Sequence, residues 1–460
     1  MNHISVKFDQ QIGTIKPMHA TNNGPVGKVN GFDVGWDKST VAQAGHAVGE
    51  NIYEFAMAGI PYARTHDSSF FPSYGLEHTV DVAFIFPNFD ADPDDPESYD
   101  FTCTDHYMDM IEAAGTKVFY RLGHRIEHEV KKYGTLPPKD FHKWAVVCEH
   151  IIRHYTEGWA NGTHRNMEYW EIWNEPDLDA DDSLNKRTWG GTKAQFFEFY
   201  HIAATHLKKC FPHLKIGGPA IAGKLTWAED FLAQLKAPLD FFSWHIYACT
   251  VEKVLDRAQK VRALLDKYGF AETESILNEW NYVRGWEKDL IRYSHAQKPR
   301  SKGASFTLAT MCAAQDSSVD MLMYYDARPT AWNGLFDLMQ IEYSTTTGYY
   351  PFPMFNLLYQ MGNEVASEAD ENLYACAART DDEAAVILTH YNDDDATEPK
   401  SLSLALSGFG GESGCEAEFY LLDDDHRLTL TQRLTFFGDR LVWETDLPNF
   451  TCYLIKLKKK

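Results

Sequence analysis

The sequence predicts a (β/α)8 (TIM) barrel followed by a small all-β sandwich. Between about residues 15 and 345, short apolar runs alternate with amphipathic helical patterns, which is typical of a parallel sheet buried on both faces. Eight such units over about 300 residues suit a closed barrel. After about residue 365, short strand-like runs are separated by polar or glycine-rich turns, which indicates a β-sandwich. The predicted limits are 15–350 and 365–460, and residues 1–14 are a candidate for one more sandwich strand.

The predicted barrel strands are short apolar runs that end before polar or turn residues. In chain order they are residues 15–21, 62–66, 117–122, 169–173, 215–219, 241–247, 276–279 and 321–326. A further apolar run at 80–86 is interpreted as part of a long inserted loop, and it leaves the strand count ambiguous by one. The predicted sandwich strands are 373–378, 384–391, 401–406, 417–422, 440–444 and 452–457.

The composition excludes some partners. A formal net charge of -23 disfavours nucleic acid and anionic membranes, because both bind basic surfaces. The eight cysteines are scattered and lie partly inside apolar segments, which favours free thiols in a reducing compartment. The N-terminus has no apolar signal region, and no apolar run approaches the ~18 residues of a membrane span. We therefore expect a cytoplasmic protein.

Two glutamates follow apolar strands. In YWEIWNEPDL (169–178) the strand runs into Asn174 and Glu175 before Pro176 breaks it, and in SILNEWN (275–281) another strand runs into Glu279. Carboxylates at the carboxyl ends of barrel strands lie where barrel enzymes carry out their chemistry. Counted as strands four and seven, the two strands lie across the barrel mouth from each other. Glycoside hydrolysis needs such a pair, an acid and a second carboxylate on the opposite face of the sugar.

The chain resembles the retaining β-xylosidases of glycoside hydrolase family 39. The resemblance is carried by YDFTCTDHYMDMIEAAG (99–115), LPPKDFHKW (136–144), LKIGGPAIAG (214–223), DFFSWHIY (240–247) and the two glutamate segments. It implies that Glu175 is the acid/base, that Glu279 is the nucleophile and that Asn174 holds the sugar 2-hydroxyl.

Other substrate-binding residues are implied by the same resemblance. His66, His245 and Tyr247 match positions that contact the sugar in the family, although each could also be an ordinary core residue. Where the family tends to have a tryptophan at the end of strand eight, this chain has Tyr325, followed by Asp326 and Arg328. Tyr325 is expected to stack on the sugar, and Asp326 and Arg328 to add polar recognition.

The departure at strand eight leaves the sugar open. A β-xyloside is the first expectation, and an arabinoside, a galactoside or a uronic acid is the alternative, because an arginine beside the sugar favours a carboxylate. A non-catalytic carbohydrate-binding barrel is a second alternative. The oligomeric state is not predicted.

Neither a cofactor nor a metal is expected, since two carboxylates supply both the acid and the nucleophile. Residues 90–95 are acidic but lack the glycine and the terminal glutamate of a calcium-binding EF-hand loop. His124 and His128 are four residues apart in HRIEH, which does not match the zinc motif HExxH.

Overall fold

A computed structural model describes residues 1–26, 51–66, 68, 78–328, 330–337 and 344–460. Eight parallel strands form a closed barrel, in which the first pairs with the last. The barrel strands are β2 (Ala20–Asn22), β3 (Tyr62–Arg64), β4 (Lys117–Leu122), β5 (Tyr169–Ile172), β6 (Lys215–Ile221), β7 (Phe241–Ala248), β8 (Glu274–Tyr282) and β9 (Met321–Tyr324). The predicted barrel is thus confirmed.

The described α-helices are α1 (Ile52–Ala58), α2 (Val82–Ile85), α3 (Thr102–Ala113), α4 (Phe141–Thr156), α5 (Lys193–Cys210), α6 (Leu225–Gln234), α7 (Val251–Lys267), α8 (Lys288–Gln297), α9 (Ser301–Gln315) and α10 (Pro351–Met361). The apolar run at 80–86 contains the short helix α2 and is not a strand, so the ambiguity in the count is resolved at eight. Among the described helices, none combines the length and apolar character needed to cross a membrane.

Residues 15–18, predicted as the start of the first barrel strand, belong to no strand, because β1 ends at Thr14 and β2 begins at Ala20. The amide of Ile15 donates to the Gly362 carbonyl at 2.9 Å, and the amide of Lys16 donates to Gln315 Oε1 at 2.8 Å. These contacts hold the segment beside α9 and the residue that follows α10. Apolar character alone could not distinguish this buried connection from a strand.

The closed barrel has an apolar floor. Inward-facing side chains from successive strands form one buried cluster: Ala20, Tyr62, Phe119, Tyr169, Phe241, Ile276, Met321 and Met323. Alternate residues on the same strands, such as Trp170 and Phe242, belong to the larger core shared with the helices. This period of two places the next inward residues, among them Glu171 and Ser243, one level closer to the mouth.

The β-rich region is a sheet of seven strands, ordered β1-β12-β13-β14-β17-β15-β16. Its members are β1 (Asn2–Thr14), β12 (Asn363–Ala369), β13 (Leu373–Arg379), β14 (Glu383–His390), β15 (Lys400–Leu422), β16 (Arg427–Leu447) and β17 (Thr451–Lys459). The strands between them and the barrel, β10 (Phe336–Asp337) and β11 (Ser344–Thr345), pair with each other in a separate two-stranded sheet. The N-terminal strand β1 lies antiparallel to β12 and parallel to β15, so the sheet bends back on itself. The boundary placed near residue 365 stays a prediction.

One prediction in the β-rich region is wrong. The runs 401–406 and 417–422 are expected as separate strands, but they are the two ends of the single long strand β15. The first end pairs with β1 and the second with β17. Register shifts between Ser407, Gly411 and Cys415 show that the glycine-rich stretch bends the strand without ending it.

Candidate active site

A polar layer lies above the apolar floor of the barrel. At its centre, Arg64 on β3 donates through Nε to Glu171 Oε2 at 2.7 Å. The same guanidinium donates to Asn22 Oδ1 at 2.9 Å and to Asn174 Oδ1 at 2.6 Å. The second carboxylate oxygen of Glu171 accepts from the Ser243 hydroxyl at 2.6 Å. Because charged groups so deeply buried need every polar atom bonded, this layer rigidly supports the side chains above it.

A β-bulge in β8 directs the side chain of Glu279 into the barrel. In the pairing of β7 with β8, Trp244 lies opposite Leu277, but the next residue, His245, lies opposite Glu279. The extra residue, Asn278, lets two successive side chains project inward. The Asn278 amide reaches Glu171 in the polar layer, and Glu279 stands one level higher.

The loop after β5 holds Glu175 in an uncommon backbone conformation. Trp173 and Glu175 have φ values of 74° and 49°, a left-handed region that costs a non-glycine residue about 1–3 kcal/mol. The Glu175 amide donates to the Ala220 carbonyl at 2.8 Å, and the Thr188 hydroxyl donates to the Glu175 carbonyl at 2.6 Å. These bonds to neighbouring segments offset the strain.

Asp177 fastens this loop to the next one. Its carboxylate accepts from the backbone amides of Ala222 at 2.6 Å and Lys224 at 2.9 Å. Since Asp177 is two residues beyond Glu175, the bonds fix the loop that carries Glu175 against the loop after β6.

His245 lies between the two glutamates. Its Nδ1 is 2.9 Å from Glu175 Oε1 and 3.5 Å from Glu279 Oε2. One oxygen from each carboxylate and one ring nitrogen of His245 all lie within 4.8 Å of one another. The two carboxylates therefore face a common space, and the same three atoms are close enough to bind a metal ion.

Glu279 is surrounded by donors. Tyr247 donates its hydroxyl to Glu279 Oε1. His66 Nε2 lies 3.2 Å from the other oxygen, and Arg64 Nη1 lies 3.7 Å from it. These side chains converge from two sides of the barrel, because β3, which carries Arg64 and leads to His66, lies across from the adjacent strands β7 and β8.

The two glutamates have opposite electrostatic environments. Burial raises the pKa of Glu175, and the charge of Glu279 adds to this against the hydrogen bond from His245. Burial acts in the same direction on the pKa of Glu279, but His245, His66 and Arg64 outweigh it and hold that pKa well below its usual range. The arrangement keeps Glu279 ionised and favours a proton on Glu175.

An aromatic wall stands beside Glu279. The Trp332 ring centroid is 5.1 Å from that of Tyr247 and 5.8 Å from that of Tyr325. Trp286 packs on Tyr247 at 5.5 Å and is 63% exposed. Aromatic faces with a few convergent polar groups are typical of small-ligand sites.

Asp326 and Arg328 are placed differently from the other predicted site residues. Both are completely buried. Asp326 Oδ1 accepts from Asn23 Nδ2 at 2.8 Å, while the Arg328 guanidinium lies over the Tyr107 ring at 4.7 Å and 3.1 Å from His78 Nε2. These contacts fasten the segment after β9 to the barrel wall, and contact of either residue with substrate stays a prediction.

The structure brings the remaining predicted residues together: His66, Asn174, Glu175, His245, Tyr247, Glu279 and Tyr325. Sequence reasoning missed others around the site: Arg64, Glu171, Asp177, Trp286 and Trp332. For Arg64 and Glu171 a signal was present, because a charged residue inside an otherwise apolar barrel strand is buried and needs a partner. Trp332 lies in the loop after β9, and the sequence around it carries no comparable signal.

A barrel with two convergent carboxylates at its fourth and seventh strands defines the class of protein, the barrel glycoside hydrolases. The family model for glycosyl hydrolases family 39 matches residues 80–417. The chain belongs to this family.

Individual relatives are distant. A β-xylosidase from Geobacillus stearothermophilus is 24% identical over 335 residues, which cover 63% of this chain and 64% of the relative. The match thus spans less than two thirds of that enzyme. Among solved structures, a glucosidase from Croceicoccus marinus is 21% identical with a TM-score of 0.78, covering 100% of this chain and 99% of that one. A monomeric β-xylosidase from Caulobacter crescentus CB15 is 16% identical with a TM-score of 0.69, and the match covers 100% of each chain. These two structures share the fold.

Proposed function

We propose that the protein is a retaining glycoside hydrolase that cleaves a pentoside such as a β-xyloside, with Glu279 as nucleophile and Glu175 as acid/base. The observation that carries the proposal is the opposite effect of the site on the two carboxyl groups, which raises the pKa of Glu175 and lowers that of Glu279. Paired carboxyl groups whose pKa values are pushed apart have separate acid and nucleophile roles.

The spacing of the carboxylates supports retention. One oxygen from each lies within 4.8 Å of the other. Retaining enzymes have carboxyl groups about 5–5.5 Å apart, whereas inverting enzymes need about 6.5–9.5 Å to admit a water molecule. The observed approach matches the shorter spacing, that of a retaining enzyme.

Double displacement follows from this geometry. An oxygen of Glu279 bonds to the anomeric carbon as the glycosidic bond breaks, and the proton of Glu175 passes to the leaving oxygen. Water then gives a proton to Glu175 and its oxygen to the anomeric carbon, releasing Glu279. The covalent bond removes the charge of Glu279, so the pKa of Glu175 falls and the group becomes a base in the second step.

The sugar is proposed from the relatives and from the charges in the site. The Geobacillus stearothermophilus relative is a β-xylosidase. A uronic acid needs a cation beside its carboxylate, and the candidate for that role, Arg328, is completely buried against Tyr107. These observations favour a neutral sugar.

A panel of 4-nitrophenyl glycosides tests the proposal. We expect the highest kcat/KM with the β-D-xylopyranoside, compared with the α-L-arabinofuranoside, β-D-galactopyranoside, β-D-glucopyranoside and β-D-glucuronide. Proton NMR during the first minutes should show β-xylose as the initial product. The Glu279→Gln variant, purified in parallel, controls for contaminating glycosidases.

The outcomes separate the alternatives. A preference for another glycoside would keep the chemistry and change the sugar. Initial α-xylose would contradict retention. Binding of sugars without turnover of any of these glycosides would favour a carbohydrate-binding barrel.

A further inference from the structure

A second cluster of metal-ligating side chains lies on the outside of the barrel. Helices α4 and α5 pack side by side. Glu149 is on α4, and His206 and Cys210 are on α5. Residues four apart on a helix share one face, so the histidine and the cysteine both face Glu149. Each of the three is partly exposed, so the cluster is open to solvent.

The ligand atoms have the separations that a small cation requires. His206 Nε2 is 2.6 Å from Glu149 Oε2 and 3.8 Å from Cys210 Sγ. All three atoms lie within 4.8 Å of one another. A tetrahedral zinc ion with ordinary bond lengths places neighbouring ligand atoms about 3.3–3.7 Å apart. Small side-chain rotations therefore suffice to seat an ion between these atoms.

Arg153 does not occupy the carboxylate oxygen of Glu149 that faces the cluster. Its guanidinium bonds to Oε1 of Glu149, with both Nε and Nη2 at 2.8 Å. The other oxygen, Oε2, is the one that faces His206. The arginine thus orients the carboxylate from outside, as partners behind a ligand commonly do.

We propose that Glu149, His206 and Cys210 form a binding site for a divalent transition metal, of which zinc is the best match. Imidazole, thiolate and carboxylate are all zinc ligands, and solvent would supply the fourth. On binding, Cys210 loses its thiol proton to solvent as sulfur bonds to the metal. The proton on His206 Nε2 moves to Nδ1 through solvent, which leaves a lone pair for the metal. The ion would link α4 to α5 and stabilise the folded chain without taking part in glycoside hydrolysis.

Protection of Cys210 from alkylation tests the site. In the folded protein Cys103 and Cys210 are partly exposed, and the other six cysteines are buried. In a Cys103→Ala background, iodoacetamide should therefore modify Cys210, as identified by mass spectrometry. Equimolar zinc should slow the modification by on the order of tenfold or more, because the metal occupies the sulfur. An excess of EDTA should restore the original rate.

Two variants distinguish zinc binding at these three residues from nonspecific zinc binding elsewhere on the protein. His206→Ala should abolish the protection by zinc, whereas His213→Ala, at an exposed histidine just beyond α5, should retain it. Circular dichroism of each variant checks that the fold persists. Cobalt provides a second measurement that needs no variant, since a cobalt–thiolate bond gives a near-ultraviolet charge-transfer band that alkylation of Cys210 should remove.

Glycosidase activity cannot report on this site, because Glu175, His245 and Glu279 could also bind zinc, and zinc bound there would inhibit hydrolysis. The proposal is overturned if neither equimolar zinc nor a several-fold excess, which would fill both groups of ligands, changes the alkylation rate. It is also overturned if His206→Ala is protected as well as the background protein. Either result would leave the glycosidase proposal unaffected.

Discussion

Arg64 donates a hydrogen bond to Glu171 at 2.7 Å, and neither side chain has any exposed surface inside the barrel. Transfer of both charges from water is costly, and the cost is offset only while each has its partner. The pair also has a second role, because Arg64 donates another hydrogen bond to Asn174 and lies 3.7 Å from Glu279. Stability and the support of the active site therefore depend on the same contact.

Glu171→Gln should strongly destabilise the protein. The amide has the shape of the carboxylate but removes the negative charge that Arg64 bonds at 2.7 Å, and breaking a buried ion pair by removing one partner costs about 3–5 kcal/mol. Urea unfolding measures the loss. Glu168→Gln is the control, because Glu168 pairs with Lys215 at 3.1 Å on the surface, with 40% of its side chain exposed, and such pairs contribute about 0–1 kcal/mol. Equal losses in the two variants would contradict the account.

Tyr247→Phe should move the acidic limb of the pH profile of kcat/KM to higher pH. Glu279 must be ionised to attack, and the variant removes a hydroxyl that donates to it. A hydrogen bond to a charged group contributes about 1.5–3 kcal/mol, which corresponds to about 1–2 pH units. The pKa of Glu279 rises by this amount, so activity is lost at a higher pH as the solution is acidified.

Tyr169→Phe is the matched control for that measurement. Tyr169 also donates its hydroxyl to a glutamate, Glu274 at 3.0 Å, but it belongs to the floor of the barrel. Its removal should leave the pH profile in place. A shift of the same size in both variants would show that the effect is not local to Glu279.

Much of the barrel could be predicted because its strands are buried on both faces. The run 117–122 coincides with β4 (Lys117–Leu122). The same reasoning was wrong where burial had another cause, as at Ile15, and where pairing continued through glycines, as between the two halves of β15. Local composition records burial and flexibility but not the partner that a segment finds.

The sequence could predict the two site residues that directly follow the apolar part of a barrel strand. Glu175 and Glu279 each come after apolar residues of a barrel strand, and the structure brings them to one histidine, His245. The bulge at Asn278 that aims Glu279 depends on the register between β7 and β8. The contact of Trp332 with Tyr247 depends on the path of a loop. Neither relationship is encoded in a short motif.

Lys298→Met should change how stability depends on pH. Lys298 is buried, with Nζ 2.9 Å from His295 Nδ1 and 4.0 Å from the centre of the Trp332 ring. Burial lowers its pKa to about 7, against about 10.4 in an unfolded chain. Between these values the unfolded chain binds more protons, so this lysine makes the protein more stable as pH rises from about 7 to 10.

The variant should lack that contribution. Lys298→Met should be more stable than the wild type at pH 6, and the difference should shrink by up to about 1.4 kcal/mol per pH unit above pH 7. Urea unfolding at pH 6, 8 and 10 measures this. Lys260→Met, at a lysine whose side chain is 56% exposed, should differ from the wild type by a constant amount. A constant difference for Lys298→Met would mean that the lysine keeps its charge in both states.

Azide rescue of two variants should separate the roles of the glutamates. Glu279→Ala removes the proposed nucleophile, so turnover should fall by several orders of magnitude on every substrate. Azide can then enter the vacated space and attack the anomeric carbon directly. The product should be a glycosyl azide of inverted configuration, readable by proton NMR.

Glu175→Ala removes the proposed acid, and substrates with poor leaving groups should suffer most because their departure needs a proton. An activated aryl glycoside should still form the covalent intermediate, which accumulates because no base activates water. Azide should then attack that intermediate from the face that the leaving group vacated, and the product should be a glycosyl azide of retained configuration. If the configurations were exchanged between the variants, Glu175 would be the nucleophile and Glu279 the acid. Near-normal turnover by both variants would contradict the assignment of the active site, because each carboxylate is assigned a step that turnover requires.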